Sequence, residues 1–355
     1  MDIYILNENF QTIGVIDAYE SLIWTDRYNK YGDFEIYTNF SMDILNKVKQ
    51  DYYVYISESE HMMIVEGLQI ESDAESGNHL RITGRSLESI LDRRIIWTQT
   101  SISGSLQNSI KRLINESIIN PSMADRRISN FIFEDSSDVR ITSLTAEAEY
   151  TGDNLYEIVS TLCESNYIGY KITLNNLNQF VFKLYMGEDR GYDQNSNPYV
   201  VFSPSYENIV NSDYVDSTEV MKNVALVAGE DSGQQRRTLI VGSGSSLTRR
   251  ELFVDARDIQ SDKVSDYNAA LRQRGLQYLI ENSRVVSFEG QVEATRMFVY
   301  GEDFFMGDIV QIVNEYGIQG SARVVEFIHN EDVNGIQMYP TFEAVQDIDT
   351  STEGD

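Results

Sequence analysis

The sequence predicts an α+β protein that is predominantly β, in which one β unit is used twice around a small α+β insertion. Three observations carry this. Short β-branched and aromatic runs bounded by Gly, Asn, Asp and Ser recur at both ends of the chain. The pattern of residues 51–94 also returns late: Gly307-Asp308-Ile309-Val310-Gln311-Ile312 echoes Asp51-Tyr52-Tyr53-Val54-Tyr55-Ile56, and Ala322-Arg323-Val324-Val325-Glu326 echoes Met63-Ile64-Val65-Glu66. Upstream, Phe34-Glu35-Ile36-Tyr37-Thr38 lies about as far before the first copy as Phe288-Glu289-Gly290-Gln291-Val292-Glu293 lies before the second. Between the copies, two stretches switch to helical period. The plain alternative is that any two Val/Ile-rich hairpins look alike; agreement of order and spacing over several strands favours an internal duplication.

In chain order, Ile3-Leu6, Ile13-Ile16, Leu22-Trp24 and Phe34-Thr38 are expected strands, the third followed by a loop over Thr25–Gly32. Met42–Val48 is a short helical connection. Strands over Asp51–Ile56, Met63–Ile70 and Leu80–Gly84 follow, the last two separated by a polar turn at Glu71–Asn78. Leu87, Ile90 and Leu91 then fall at helical spacing, with Ser86 as the expected N-cap and Ser89 on a polar face. Ser105 is the expected cap of an amphipathic helix carrying Leu106, Ile110, Leu113, Ile114 and Ile118, ended by Pro121. A second helix from about Asn154 feeds a hairpin, Tyr167–Thr173 and Phe180–Tyr185, turned by Asn175–Asn178.

Tyr199–Phe202 and Lys222–Gly229 are further strands; Arg236–Val241 and Leu252–Val254 are expected as hairpin arms around Gly242–Ser246. A helix from Lys263 to about Glu281 precedes the second β unit. The expected domains are therefore residues 1–98 (open to completion by strands from about 192–225), an α+β insertion over 99–191, and 192–346 with helix 263–281. Residues 347–355 form an acidic tail or linker.

At 355 residues two or three domains are the prior expectation. The net charge of −28 argues against a nucleic-acid-binding surface, which needs Lys and Arg to displace counterions, and against docking on an anionic membrane. Solubility alone is the plain account of that charge. One cysteine, Cys163, excludes an internal disulfide and lies on an apolar helical stripe, so packing is its expected role. No apolar run has the length of a membrane span, and the N-terminus has no signal-peptide pattern, which points to synthesis in the cytoplasm.

Chemistry-bearing motifs are scarce. His61, His79 and His329 fall in or beside expected turns with no zinc-ligand spacing. Gly242-Ser243-Gly244 lacks the following Lys-Ser/Thr of a phosphate loop. Carboxylates are numerous enough that a catalytic pair is not excluded by counting, yet Glu71, Asp73, Glu75 and Asp189 sit in polar turns where solvated charge is the default. No catalytic residue, metal or cofactor is expected. The doublets Arg93-Arg94, Arg126-Arg127, Arg236-Arg237 and Arg249-Arg250 are scattered through an acidic chain and read as ion-pair partners within or between subunits.

Two stretches carry a family resemblance: Trp24-Thr25-Asp26-Arg27-Tyr28-Asn29-Lys30-Tyr31-Gly32-Asp33-Phe34-Glu35-Ile36, and Ile82-Thr83-Gly84-Arg85-Ser86-Leu87-Glu88-Ser89-Ile90-Leu91-Asp92-Arg93-Arg94. With Gly187-Glu188-Asp189-Arg190, Val200-Val201-Phe202-Ser203 and Tyr206-Glu207-Asn208, they resemble the phage tail-tip and baseplate hub proteins over residues 1–345. The resemblance implies two tube-type β-barrel or sandwich domains per chain and a homotrimeric ring of near-sixfold symmetry. It implies neighbours, too: a distal tail protein, the tape measure and tail tube on one side, and a tip, fibre or lysin on the other. DNA would pass through the channel without sequence-specific binding, and an acidic lining would repel it. Arg85, Arg93 and Arg94 are the subunit-interface candidates. The rival readings are a cell-surface glycan-binding module, which predicts exposed aromatic clusters in a monomer, and a cell-wall hydrolase, which predicts paired acids in a deep pocket.

Overall fold

Alternation decides which face of each early strand turns inward. The computed structural model describes residues 1–73, 77–209, 211–230, 236–260, 266–291, 297–314, 316–317 and 319–345. The chain begins with β1 (Ile3–Leu6), β2 (Thr12–Ile16), β3 (Ser21–Arg27) and β4 (Asp33–Asn39). In β4, Phe34, Ile36 and Thr38 are buried while the residues between them are partly exposed, the period of two that a half-buried strand requires. The Ser41 hydroxyl accepts from Ile44 N and caps α1 (Met42–Lys47). There follow β5 (Tyr53–Tyr55), β6 (Met63–Asp73) and β7 (Gly77–Ser86).

The β6–β7 hairpin reaches further than the polar composition of 71–78 indicates: Glu71, Ser72 and Asp73 pair with His79, Asn78 and Gly77. Ladder hydrogen bonds and the Arg81 Nε–Glu71 Oε1 contact of 3.2 Å hold these polar residues in strand conformation. Residues 74–76 of the expected turn lie outside the described residues. Leu87–Arg93 is a 3-10 helix. Ser86 does not cap it with its side chain; its hydroxyl accepts from Gly32 N at 2.7 Å instead. Ser89 is buried, not on a polar face, because Leu87, Ile90 and Leu91 on either side of it in the chain sink the short helix into the core of the inserted segment.

That segment contains β8 (Thr100–Ser105), α2 (Leu106–Ile114), β9 (Phe131–Glu134), α3 (Val139–Thr142), β10 (Thr145–Tyr150), α4 (Leu155–Glu164), β11 (Gly169–Leu174) and β12 (Phe180–Tyr185). Ser105 caps α2 through Asn108 N, and Asn154 caps α4 through Tyr156 N and Glu157 N. The expected asparagine turn is present: Asn175 Oδ1 accepts from Leu177 N and Gln179 N. Strands β8 and β10 pair antiparallel, and β12 is central between β11 and β9. Cys163 is fully buried in this core, and burial pushes its thiol well above the usual range, as suits packing.

The later elements are β13 (Val201–Phe202), β14 (Asn211–Ser217), β15 (Val224–Ala228), β16 (Thr238–Gly242), β17 (Glu251–Asp255), α5 (Tyr267–Glu281), β18 (Val285–Gln291), β19 (Ile309–Val313), β20 (Gln319–Asp332) and β21 (Gly335–Ala344). Strands β16 and β17 are not hairpin arms of one another: β15 lies between them, antiparallel to β16 and parallel to β17. The run Val224-Ala225-Leu226-Val227-Ala228 is the most apolar of the three, and α5 packs on it, which claims the central place. Asp266 caps α5; the expected start at Lys263 and the tail 347–355 lie outside the described residues.

The repeated unit is visible in the pairing. One sheet runs β14-β18-β21-β20-β3-β4-β7-β6-β5-β1-β2, with β19 paired to β20. Its early part, β3-β4-β7-β6-β5, and its late part, β14-β18-β21-β20-β19, have the same order in space and in sequence. Registers agree as well. Tyr53 faces Ile64 and Val54 faces Met63, as Ile309 faces Arg323 and Val310 faces Ala322. Phe34 pairs with Gly84, which pairs with Val65; Phe288 pairs with Phe342, which pairs with Val324. Each hairpin then carries a bulge one step on, between Val65 and Gly67 and between Val324 and Glu326. The two copies meet inside the chain where β20 pairs antiparallel with β3, Ile328 opposite Thr25.

Candidate functional site

The joint between the two copies is built from residues 24–32, a stretch whose sequence reads as loop from Thr25 onward. Strand β3 runs on to Arg27, because Glu326, Phe327 and Ile328 of β20 supply a ladder for Arg27, Asp26 and Thr25. Each residue of the stretch then reaches a different part of the molecule. The Arg27 guanidinium donates to Glu326 Oε2 at 2.6 Å and to Tyr31 O at 3.0 Å, and pairs with Asp33. Tyr28 N donates to Val325 O at 2.9 Å, and Tyr28 O accepts from Tyr170 N at 3.1 Å in the inserted segment.

The Tyr28 ring is 1% exposed and sits where three parts of the chain converge. Its hydroxyl donates to Tyr167 O at 3.1 Å, Tyr185 packs edge-on at 5.3 Å, and the Arg323 guanidinium lies 5.5 Å from the ring centre. Gly169 and Gly307 make room for it: a Cβ on either would stand 2.3 Å from Tyr28 Cε2, and Gly307 also has φ +89°. Burial pushes the Tyr28 phenol up to about 12.

Beside it lies a buried charged cluster. Asp26 is 2% exposed; Oδ1 accepts from Trp24 Nε1 at 3.2 Å and Oδ2 from Ser59 Oγ at 2.7 Å. His329 Nε2 stands 3.8 Å from Asp26 Oδ2. His61 is buried near both Asp26 and Glu88, with Nδ1 3.3 Å from Glu88 Oε1, which also accepts from Ile172 N at 2.6 Å. Despite burial, the Asp26 and Glu88 carboxylates raise His61 to about 9, and the His61 and His329 imidazoles hold Asp26 below its ordinary value. The sequence expectation puts the histidines in or beside turns; His329 and His79 lie in the strands beside them, β20 and β7, where the ladders take them inside. His79 Nε2 lies 3.1 Å from Glu20 Oε1, just before β3, while the buried His329 ring makes no hydrogen bond and has the Asp26 carboxylate 3.8 Å away.

A cavity of about 580 Å³ opens next to Asp26 and is lined also by Glu60, Lys171, Arg190 and Asp308. Two ion pairs lie in its wall, Lys171 Nζ with Glu60 at 2.7 Å and Arg190 Nε with the buried Asp308 at 2.7 Å, and Glu58 and Glu188 line it as well, so acids outnumber bases there. Asp26 is lowered and His61 raised, so near neutral pH the two carry opposite charges inside the joint. Among the described residues no group of three or more His, Cys, Asp or Glu could hold a metal ion, and no helix is long and apolar enough to cross a membrane.

The three arginines singled out from the sequence are engaged within the chain. Arg85 forks onto Glu66 at 2.7 and 2.9 Å, reaches Asp92 at 2.8 Å and lies 4.8 Å over the Tyr31 ring. Arg93 meets Asp51 at 3.0 Å and shares Glu66 at 3.8 Å, so the structure brings Arg85 and Arg93 together. Arg94 turns elsewhere and donates to Arg126 O at 3.2 and 3.3 Å. From the sequence, His61 and His329 stand out only as histidines without zinc-ligand spacing, and Asp26 and Tyr28 only within a longer run; nothing there brings them together. The Trp24–Ile36 run that carries the resemblance was the signal that could have located Asp26 and Tyr28.

The fold is shared with known tail proteins. The prophage MuSo2 43 kDa tail protein from Shewanella oneidensis superposes with a TM-score of 0.61 at 12% identity, covering 97% of this chain and 98% of the other. The tail protein from Neisseria meningitidis MC58 gives 0.59 at 12% identity over 97% and 95%. Prophage tail protein gp18 from Listeria monocytogenes EGD-e gives 0.57 at 14% identity over 96% and 94%. No curated protein matches the sequence. Residues 2–342 match the family described as Siphovirus ReqiPepy6 Gp37-like protein, and with nearly the whole chain inside that match the protein belongs to this phage tail protein family.

Proposed function

We propose that the protein is the structural hub of a phage tail tip: a homotrimeric ring of near-sixfold symmetry that joins the tail tube to the tip, fibre or lysin and leaves a channel for DNA. The observation that carries this reading is the doubled unit, identical in strand order, register and bulge, joined within the chain by strand pairing. A threefold object presents six similar wall segments only if each chain supplies the segment twice. Tail proteins from three bacteria share the fold, which supports the reading. The net charge of −28 suits a wall that DNA must slide past, since acidic walls do not bind phosphates. In this reading the chain is not an enzyme, and Arg93, whose side chain is 41% exposed, is the one of the three arginines best able to exchange its partner at an interface.

Light scattering coupled to sizing tests the assembly. The expected mass is three times the 40.6 kDa of one chain, with negative-stain images of rings of pseudo-sixfold outline. A monomer at every concentration up to that of an assembling tail overturns the ring.

A further inference from the structure

The inserted segment carries a pocket of about 370 Å³ that neither the joint nor the doubled unit uses. That volume lies in the range of roughly 300–1,000 Å³ usual for small-molecule sites. The end of α2 supplies part of its wall. There the helix widens into a single π turn, Asn115–Ile119, closed by Asn120 N donating to Asn115 O at 2.7 Å. Single π turns are rare and frequently mark functional sites. This one brings Glu116, Ser117 and Asn120 to the same pocket as the run Trp97–Thr100.

Trp97 is the unusual member of that wall. A large aromatic ring is mostly covered in a folded chain, yet Trp97 is 55% exposed. The Arg126 guanidinium lies 5.2 Å from its ring centre. Arg126 is itself fixed: Nη2 donates to Ile95 O at 2.7 Å, and Arg94 donates to Arg126 O at 3.2 and 3.3 Å. The platform is therefore oriented before any ligand arrives, which lowers the ordering cost of binding. Around it stand polar groups without charge. Asn120 Nδ2 donates to Asn115 Oδ1 at 2.8 Å and Gln99 Nε2 donates to Glu149, which leaves both amide oxygens open. Among the described residues the Trp97 indole N–H and the hydroxyls of Thr98 and Ser122 make no hydrogen bond either.

The charges in the wall are engaged. Arg112 donates from Nε to Glu116 Oε1 and from Nη1 to Ser101 O, both at 2.8 Å, and Glu116 Oε2 accepts from Thr100 Oγ1 at 3.2 Å. A phosphate or sulfate is held by cations that no carboxylate has already neutralised. A peptide is held by a strand edge or an apolar groove. An exposed indole rimmed by hydroxyl and amide groups suits a ligand with one apolar C–H face and a margin of hydroxyls. A pyranose ring has that shape.

We propose that this pocket binds saccharide, with a pyranose stacked on Trp97 and its hydroxyl or acetamido groups bonded to Gln99, Asn120 and Ser122. It is a binding site and not a hydrolytic one. Cleaving a glycosidic bond takes two carboxylates flanking it, and Glu116 is the only carboxylate among the described residues lining the pocket. The site belongs to the single chain, so it stands or falls independently of the ring proposed above.

Tryptophan fluorescence of the full chain reads the site. The chain has two tryptophans and Trp24 is fully buried, so changes in quenching by acrylamide report on Trp97. The probes are N-acetylglucosamine, its β-1,4-linked trimer and maltotriose, with glycerol and inorganic phosphate as controls. At least one saccharide is expected to shift the emission to the blue and protect Trp97 from acrylamide, with half-saturation at about 1 mM or below. The controls are expected to do neither. Asn120→Ala keeps the reporter and is expected to weaken that saccharide about threefold or more, as for one lost hydrogen bond, at an unchanged urea midpoint. Ser122→Ala, at an exposed hydroxyl, is read in the same way should Asn120→Ala alter the midpoint. Trp97→Ala, followed by calorimetry, is expected to weaken binding about tenfold or more. Tighter binding of the trimer than of the single sugar upholds the site and marks a polymer as the source; equal affinities uphold it for a lone ring. No response to any of the three saccharides, or a response to phosphate alone, overturns the proposal. So does saccharide binding undiminished in the folded polar variant or in Trp97→Ala.

Discussion

Replacing Asp26 by Asn is expected to lower stability by about 3–5 kcal/mol, the usual cost of removing one member of a buried ion pair. The carboxylate is 2% exposed and is a counter-charge for His61, which is itself buried. The isosteric amide keeps the shape but leaves the imidazolium with Glu88 as its remaining close anion. A shift of the urea midpoint measures the loss. Equal midpoints for the variant and parent would remove the ion network from the account of the joint.

The same pair sets the pH dependence. His61 has its folded pKa raised from 6.5 to about 9, so its contribution is complete below about 6.5 and disappears as pH rises through about 9. Asp26 has its folded pKa lowered from 3.8, so its contribution is complete above about 4 and disappears as pH falls through the lowered value. Maximum stability from this cluster therefore lies between about pH 4 and 6.5, with on the order of 3 kcal/mol lost from there to above pH 9 by linkage. Urea midpoints across pH 5–10 check this, and Asp26→Asn is expected to flatten the alkaline limb because His61 loses the carboxylate that raises it most.

Tyr28→Ala is the second large effect, about 3–5 kcal/mol, as for truncation of a buried aromatic side chain. The ring fills space that Gly169 and Gly307 leave open, so nothing nearby can collapse onto the void without moving two backbones. Tyr28→Phe keeps the ring and loses the hydrogen bond to Tyr167 O, which is worth about 1 kcal/mol. Denaturant unfolding of the two variants separates packing from the hydroxyl. If Phe costs as much as Ala, the ring is not the rivet described here. Because Tyr28 touches β20, the inserted segment and its own unit at once, its loss is also expected to raise protease cleavage at the joint.

Much of the fold was legible because strand faces are a local property. Phe34, Ile36 and Thr38, or Leu80 and Ile82, alternate with polar residues whatever the rest of the chain does, and they lie on the inside. The doubling was legible for the same reason: equal spacing of equal runs survives in the sequence, and the pairing of Phe34 and Phe288 confirms the alignment residue by residue. Helix caps at Ser105 and the asparagine turn at 175–178 are likewise chemistry of neighbours in the chain. Strand β14, with the sequence Asn-Ser-Asp-Tyr-Val-Asp-Ser, carried too little β propensity to be seen and exists because β18 pairs with it.

Length, charge and the β-rich doubled plan came from the amino-acid sequence by itself, since each depends on composition or on spacing along the chain; the family resemblance came from particular runs, Trp24–Ile36 and Ile82–Arg94. Which charges are buried was decided by tertiary structure alone. Asp26, His61, Glu88 and His329 lie up to about three hundred residues apart, and a charged residue stays at the surface unless a distant partner meets it inside. Strand neighbours were decided there too: β20 joins β3, and β15 separates β16 from β17. Pairing is settled by which apolar faces must be covered together, a sum over the whole chain that no local window contains.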